Sequence, residues 1–241
     1  LIQSQMVQQL EEDGKKLLAD ATEKVRADHP DLEINSFIGP GPAAKSLLEA
    51  AEDARLVVLG ATGAGALENF LLGSTVLRVA NHAPCPVAVW RGDVNAPLPS
   101  DRPIVVGVDG SELSAAAVGH AFKLASTLDV PLRAVHSRVG DAALGVGATA
   151  ALVDWDAVAT SESAVLAETL AGLGDQYPEV KVERIIDRGP AAKVLLSHLD
   201  DAQLVVVGSH GRGQFRAALL GSTSQNLLHK APCPVLIARK V

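Results

Sequence analysis

The chain has 241 residues, 48% of them hydrophobic and 20% charged, which is typical of a globular protein and not of a disordered or fibrous chain. Its net charge of −7 and its 3% of aromatic residues argue against nucleic acid and against an anionic membrane as partners. Uncharged runs are shorter than the roughly 20 residues that span a bilayer, and no basic segment leads into an apolar stretch near the N-terminus, so we expect a cytoplasmic protein.

The chain contains an internal repeat. Residues 54–92 align without gaps on residues 202–240, at an offset of 148 positions, and 18 of the 39 positions are identical. Further upstream, Gly-Pro-Ala-Ala-Lys occurs in both copies, at 41–45 and at 189–193. The sequence therefore predicts a tandem duplication.

The duplication divides the chain into three parts. We predict a first repeat at residues 1–92, a linker at 93–102 and a second repeat at 103–241. The linker carries two prolines before Ser100 and has no apolar periodicity, as is typical of a connection between domains.

In the second repeat, predicted strands alternate with predicted helices. Apolar runs bounded by turn-forming residues predict strands at 104–108, 132–139, 180–186, 204–207 and 234–238. Apolar residues at helical spacing predict helices at 114–128, with Ser111 as the N-cap, and at 156–176, 191–199 and 224–229. This alternation predicts a parallel sheet covered on both faces, with ligands bound beyond the carboxyl ends of its strands.

A glycine pattern follows the strand at 204–207. Gly208 is followed after two residues by Gly211 and after nine more by Gly221, directly before Ser222 and a predicted helix. The same spacing recurs in the first repeat, at Gly60, Gly63, Gly73 and Ser74. Glycines adopt positive φ and let a triphosphate approach the backbone closely, and a helix start offers unpaired amides and the positive end of its dipole. A single pair of glycines is more simply explained by a tight turn, but the spacing found twice favours phosphate binding.

With these motifs the sequence resembles the universal stress protein family. The resemblance covers 103–241 throughout, from the VVGVDGS opening to the glycine pattern, and 1–92 for the later part of a first copy. It implies an α/β fold with two tandem Rossmann-like sheets, each of five parallel strands in the order 3-2-1-4-5 and flanked by helices. In members with this glycine pattern it also implies bound ATP, with Mg²⁺ or Mn²⁺ accompanying the phosphates.

The resemblance places the nucleotide site in the second repeat. Asp109 would lie beside the nucleotide, and the backbone from Val135 to Ser137 would face the adenine. The phosphate and ribose loop would consist of Gly208, Gly211, Gly221, Ser222 and Thr223. From the residues alone, a carboxylate just past a strand can accept from a ribose hydroxyl or hold a metal, or it can serve only a helix-capping turn.

The two glycine loops differ in charge. Arg212 and Arg216 lie in the second loop, where they either meet phosphate or are solvated. The first loop has Ala64 and Glu68 at these positions, so it lacks both cations. Whether the first repeat binds nucleotide therefore stays open.

The remaining reactive residue types predict no catalytic centre. Cys85 and Cys233 occupy the same place in two copies of Ala-Pro-Cys-Pro-Val, and we predict small buried packing groups. The chain has no G-x-S-x-G elbow and no zinc-binding spacing. We expect an ATP-binding stress-response protein with ATP as a regulatory ligand, and the alternatives are a slow ATPase acting through Asp109 or a nucleotide-free scaffold.

The first repeat has no counterpart of the opening strands. The repeat offset carries Asp109 to a position before Leu1, so we expect the chain to be incomplete at its N-terminus. Each repeat ends in an apolar strand, at 87–90 and at 235–238, and an edge strand invites pairing. We predict that these two strands pair within the chain as a pseudo-dimer, because the linker raises their effective concentration. A further homodimer stays open.

Overall fold

The computed structural model describes residues 2–61, 72–91, 100–138, 155–211 and 219–239. The chain forms two compact units, Leu1–Leu47 and Leu48–Val241. Helix α1 (Ile2–Asp28) lies in the first unit, and helix α2 (Ala43–Ala50) begins there. Among the described residues, no helix combines the length and the hydrophobicity that a membrane span requires.

The described residues of the second unit form one sheet of seven strands. The strands are β1 (Val57–Gly60), β2 (Val87–Trp90), β3 (Ile104–Val108), β4 (Leu132–Arg138), β5 (Val182–Arg188), β6 (Leu204–Gly208) and β7 (Val235–Ala238). The helices of this unit are α3 (Ser74–His82), α4 (Glu112–Leu128), α5 (Trp155–Leu170), α6 (Leu173–Gln176), α7 (Ala191–Leu196) and α8 (Ser222–Lys230).

The strands lie in the order β1-β2-β7-β6-β3-β4-β5. All neighbours are parallel except β2 and β7, which are antiparallel. The α/β fold is confirmed, and so is the order 3-2-1-4-5 for the five strands of the second repeat. The count of five strands does not apply to the first repeat, which was expected to lack its opening strands: in the described residues it contributes β1 and β2, and these extend the sheet of the second repeat.

The seam between the repeats is the antiparallel pair β2 and β7. Val87 lies opposite Ile237 and Val89 opposite Val235, and all four side chains are fully buried. The predicted pairing of the two last strands within the chain is therefore present. It covers an apolar edge that each strand would otherwise expose.

Two equivalent arginines cross this seam in opposite directions. Arg91 follows β2 and donates from Nε to Ala231 O at 3.2 Å and from Nη1 to Leu228 O, at the end of α8. Arg239 follows β7 and donates from Nη2 to Ala80 O near the end of α3. Each repeat thus binds carbonyls at the carboxyl end of the other repeat's helix, where unpaired carbonyls and the helix dipole favour a cation.

Helix α4 shows how the sequence positions the end of β3. Ser111 is its N-cap, as predicted, and the Ser111 side chain accepts from the Ser114 amide. Asp129 ends the helix with a left-handed φ of 53°. The buried face of α4 packs against β3 and β6, so the turn at its start is fixed beside the carboxyl end of β3.

Several predicted boundaries shift by a few residues. The helix predicted at 156–176 is divided into α5 and α6, because Gly172 adopts a φ of 79° between them. The strand predicted at 180–186 lies at Val182–Arg188, and the helix predicted at 191–199 ends at Leu196. The end of the strand predicted at 132–139 falls outside the described residues.

Candidate functional site

A cavity of about 690 Å³ lies at the carboxyl ends of β3, β4 and β6. Its volume is in the range of roughly 300 to 1,000 Å³ that is usual for small-molecule sites. Every site residue that was predicted in the second repeat and is described by the structure lines it, namely Asp109, Val135, Ser137, Gly208, Gly211, Gly221, Ser222 and Thr223. Arg212 and Arg216 fall outside the described residues.

Hydrogen bonds join the two ends of the glycine loop in the second repeat, where β6 ends and α8 begins. The Gly221 amide donates to Ser209 O at 2.8 Å, and Ser224 Oγ donates to Gly208 O at 2.7 Å. These bonds fix the start of α8 against the end of β6. Gly221 is the N-cap of α8 and has no side-chain capping bond, so the first-turn amides lack a side-chain acceptor at the cavity wall.

The described glycines of this loop differ in the space around them, and none is needed for its backbone conformation. Gly208, Gly211 and Gly221 do not have positive φ, so that part of the sequence argument is wrong. A Cβ at Gly211 would overlap Asp109 Oδ2, and one at Gly208 would lie 3.0 Å from the Leu113 carbonyl carbon. A Cβ at Gly221 would make only ordinary contacts, the shortest 3.4 Å from His210 Cα. The backbone therefore restricts Gly208, a Cβ at Gly211 requires the Asp109 side chain to move, and Gly221 has room for a Cβ.

Asp109 takes part in the turn before α4 and also lines the cavity. Its Oδ1 accepts from the Ser111 amide at 2.9 Å, which is the turn that leads into α4. Its Oδ2 faces Gly211 across the cavity wall. The carboxylate is thus oriented by the turn and lines the cavity at the same time.

On the β4 side, the Ser137 hydroxyl is already engaged. Ser137 Oγ donates to Gly189 O at 2.6 Å, and the Gly189 amide donates to Arg138 O. Gly189 has a φ of 139°, which favours glycine there. The Ser137 hydroxyl has thus used its proton and can only accept from a ligand, while the β4 backbone and Val135 line the same side of the cavity.

His210 is a cavity residue that the sequence analysis did not select. Its Nδ1 lies 3.3 Å from Ser209 Oγ, and its Nε2 is buried with no hydrogen-bond partner among the described residues. A buried unpaired ring nitrogen is costly, which fits a position where a polar ligand supplies the partner. The only sequence signal was its place between two glycines of the pattern.

The first repeat forms the same local corner. Gly60 ends β1, and Gly73 is the N-cap of α3 and donates its amide to Ala61 O at 2.9 Å. Ser74 begins α3, and Gly63 falls outside the described residues. However, β1 is an edge strand of the sheet, so the place that β3 takes beside β6 is held by no strand of the described residues.

The cysteines behave as packing groups, as predicted. Cys85 and Cys233 are free and buried. Burial raises the pKa of the Cys233 thiol to about 12 and also raises the pKa of Cys85. Within the described ranges, no group of three or more His, Cys, Asp or Glu side chains could hold a metal ion.

Comparison with known proteins gives one consistent family. The sequence profile of the universal stress protein family matches residues 2–91 and 102–239. A universal stress protein of Mycolicibacterium smegmatis (strain ATCC 700084 / mc(2)155) is 40% identical over 230 residues, which are 95% of this chain and 75% of the relative. A universal stress protein of Mycobacterium tuberculosis (strain ATCC 25618 / H37Rv) is 38% identical over 235 residues, 95% of this chain and 78% of that one.

One solved structure supports the fold over nearly the whole chain. The universal stress protein from Archaeoglobus fulgidus DSM 4304 superposes with a TM-score of 0.73 and covers 98% of this chain and 81% of its own. The two sequences are 22% identical, so the likeness concerns the fold alone.

Proposed function

The chain belongs to the universal stress protein family, and we propose that its second repeat binds ATP as a regulatory ligand in a stress response. The observation that carries the proposal is the cavity itself. It gathers the carboxylate of Asp109, the backbone of β4 and the glycine corner before α8 around one space. Cytoplasmic location stays a prediction of the sequence.

The lining residues fit the parts of ATP. The first turn of α8 offers backbone amides and the hydroxyls of Ser222 and Thr223, which suit phosphate oxygens. Asp109 suits a ribose hydroxyl as a hydrogen-bond acceptor. Val135 and the adjoining backbone of β4 provide an apolar wall with amide groups, which suits adenine.

Mg²⁺ or Mn²⁺ would accompany ATP through its phosphates. Asp109 is the one carboxylate among the described residues that line the cavity. A divalent cation bound there would neutralise phosphate charge and take most of its ligands from phosphate and water, as magnesium does in nucleotide sites.

We propose a binding role in preference to an enzymatic one. Of the described lining residues, Asp109 and His210 carry the titratable side chains, and Asp109 is already held by the Ser111 amide. If ATP stays intact, it would act by occupying the site. Its contacts would then favour the conformation of the loop that binds it.

The test is direct. Small molecules released from the denatured, freshly purified protein are identified by mass spectrometry, and the purified protein is titrated calorimetrically with ATP with and without Mg²⁺. Intact ATP and a saturable titration support the proposal. Steady formation of ADP would favour the slow ATPase. Protein that carries no nucleotide, and whose melting temperature ATP does not raise, would be a scaffold and would overturn the proposal.

The stoichiometry decides the role of the first repeat. The assignment of Gly60, Gly63, Gly73 and Ser74 to a second nucleotide site stays a prediction. Two equivalents of ATP per chain would support it. One equivalent, lost when the second repeat is mutated, would restrict binding to the cavity described above.

A further inference from the structure

One hydrogen bond joins a helix of the first repeat to the cavity wall of the second. Asn81, near the end of α3, accepts at Oδ1 from the Leu220 amide at 2.7 Å. Leu220 lines the cavity and directly precedes Gly221, the N-cap of α8. The contact therefore lies two residues before Ser222, the first residue of the helix whose amides we assign to phosphate.

Asn81 is held in place by its own helix. Its Nδ2 donates to Leu77 O at 2.6 Å, one turn earlier, which orients the amide so that Oδ1 faces Leu220. The preceding residues Val79 and Ala80 are fully buried, and Ala80 O accepts from Arg239. The position of Asn81 Oδ1 is thus fixed by a helix that is itself packed in place.

The peptide around Leu220 is fixed at three points. Its amide is bound by Asn81, its carbonyl accepts from Gln225 Nε2 at 2.9 Å, and the next amide, of Gly221, donates to Ser209 O. The Leu220 side chain is buried. Removal of the Asn81 acceptor leaves the buried Leu220 amide unpaired. The turn is then held by the bonds to Gln225 and Ser209.

The equivalent contact from the second repeat to the first is absent among the described residues. The repeat offset matches Asn81 with His229 and Leu220 with Leu72. His229 is exposed, and no hydrogen bond joins it to Leu72 in the part of the chain that the structure describes. The first repeat therefore supports the glycine corner of the second without receiving the same support.

We propose that Asn81 is a positioning residue for the nucleotide site, so that the first repeat serves as a support for the phosphate loop of the second. The inference rests on the proposed function. Donors that are already oriented bind a ligand without the cost of ordering them, so the affinity for ATP depends on a residue that does not contact ATP.

The test compares three variants of the full chain by calorimetric titration with ATP. Asn81→Ala removes the acceptor and should weaken ATP binding about tenfold, or about 1.4 kcal/mol. Asn81→Asp keeps an oxygen acceptor for Leu220, but it loses the bond to Leu77 O and adds a negative charge, so its loss of affinity should be measurable but smaller than that of Asn81→Ala. His229→Ala is the matched control at the equivalent position and should bind as the wild type does.

Hydrogen exchange provides a readout that does not need ATP. In the nucleotide-free protein, the Leu220 amide should exchange faster in Asn81→Ala than in the wild type or Asn81→Asp, while the buried amides of β6 keep their protection. If Asn81→Ala loses protection throughout the chain, it has a folding defect. The comparison of Asn81→Asp with the wild type then replaces it as the test. Wild-type affinity in Asn81→Ala, or equal losses in the Ala and Asp variants, would overturn the inference. A wild type that does not bind ATP would overturn the proposed function, whereas failure of these variants alone leaves it standing.

Discussion

The two glycine corners of this chain have nearly the same conformation at the helix N-cap but different surroundings. Gly73 and Gly221 are both N-caps, with φ and ψ of −64° and 142° in the first and −62° and 156° in the second. Each donates its amide across the loop, to Ala61 O and to Ser209 O. Only the second corner faces Asp109 and Val135 from neighbouring strands.

The difference separates what the glycine pattern encodes from what a binding site needs. The pattern specifies a strand end and a helix start, and both repeats form these. The carboxylate and the apolar wall come from β3 and β4, which have no counterpart among the strands that the first repeat adds to the sheet. Pairs of equivalent variants, one in each corner, therefore test whether ATP binding needs the glycine pattern alone or also the neighbouring strands.

The largest expected effect is that of Gly211→Val. The new Cβ would overlap Asp109 Oδ2, and the branched side chain would occupy space beside the glycine corner. We expect ATP affinity to fall by about 100-fold or more, equivalent to about 2.7 kcal/mol, with the fold retained because the carboxylate can rotate away. Calorimetry and the melting temperature measure the two effects. Gly63→Val is the matched variant by sequence, and an equal loss there would contradict the assignment to the second repeat.

The next largest effect is expected from substitutions of Asp109, which can separate its bond to the Ser111 amide from its proposed contact with ATP. Asp109→Asn keeps the Oδ1 acceptor for the Ser111 amide and removes the charge, whereas Asp109→Ala removes both. We expect the Ala variant to weaken ATP binding by about tenfold or more, since one polar contact is worth about 1 to 3 kcal/mol. We expect the Asn variant to lose less and to keep the wild-type melting temperature. If both variants bind ATP as the wild type does, Asp109 serves only the turn.

A smaller effect is expected from a single methyl group placed in each corner. A Cβ at Gly221 would lie 3.4 Å from His210 Cα, and a Cβ at Gly73 would lie 3.6 Å from Ala61 O, so both Ala variants should fold. Gly221→Ala should weaken ATP binding about fivefold, or about 1 kcal/mol, because the methyl group stands where phosphate approaches the helix start. Gly73→Ala should leave the affinity unchanged. Equal affinities for the two variants would show that phosphate does not approach Gly221.

Local sequence was sufficient for much of this site. The run at 104–108 and the cap at Ser111 are properties of a few neighbouring residues, and the structure confirms both. Asp109 was assigned to the site by the resemblance to the family, and the glycines of the second repeat by a spacing that occurs in both repeats. Their joint place around one cavity follows from the parallel sheet.

The contacts between the repeats could not be predicted from such signals. Asn81 meets Leu220 and Arg91 meets Leu228 across more than a hundred residues of sequence, and neither pair belongs to a motif. Their geometry arises only once β2 pairs with β7. The pairing of β2 with β7 was itself predicted from the two apolar last strands, and in the described residues it joins the strands of both repeats in one sheet.

The smallest expected difference lies between the two arginines at the seam. Burial lowers the pKa of both guanidinium groups, so each is partly desolvated and depends on its carbonyl partners. Arg91 reaches Leu228 O and Ala231 O, whereas Arg239 reaches Ala80 O and its Nε is buried without a partner among the described residues. Arg91→Ala should therefore cost more stability than Arg239→Ala, by about 1 kcal/mol, which is the value of one hydrogen bond.

Urea denaturation measures this difference, provided that the slope of the free energy of unfolding against urea stays constant. Arg91→Lys is the matched control, because lysine keeps the charge but cannot reach two carbonyls with the geometry of a guanidinium group. It should fall between the wild type and Arg91→Ala. A larger loss in Arg239→Ala than in Arg91→Ala would mean that the buried Nε is paired in solution. The carboxyl end of α3 would then depend on its arginine at least as much as that of α8 does.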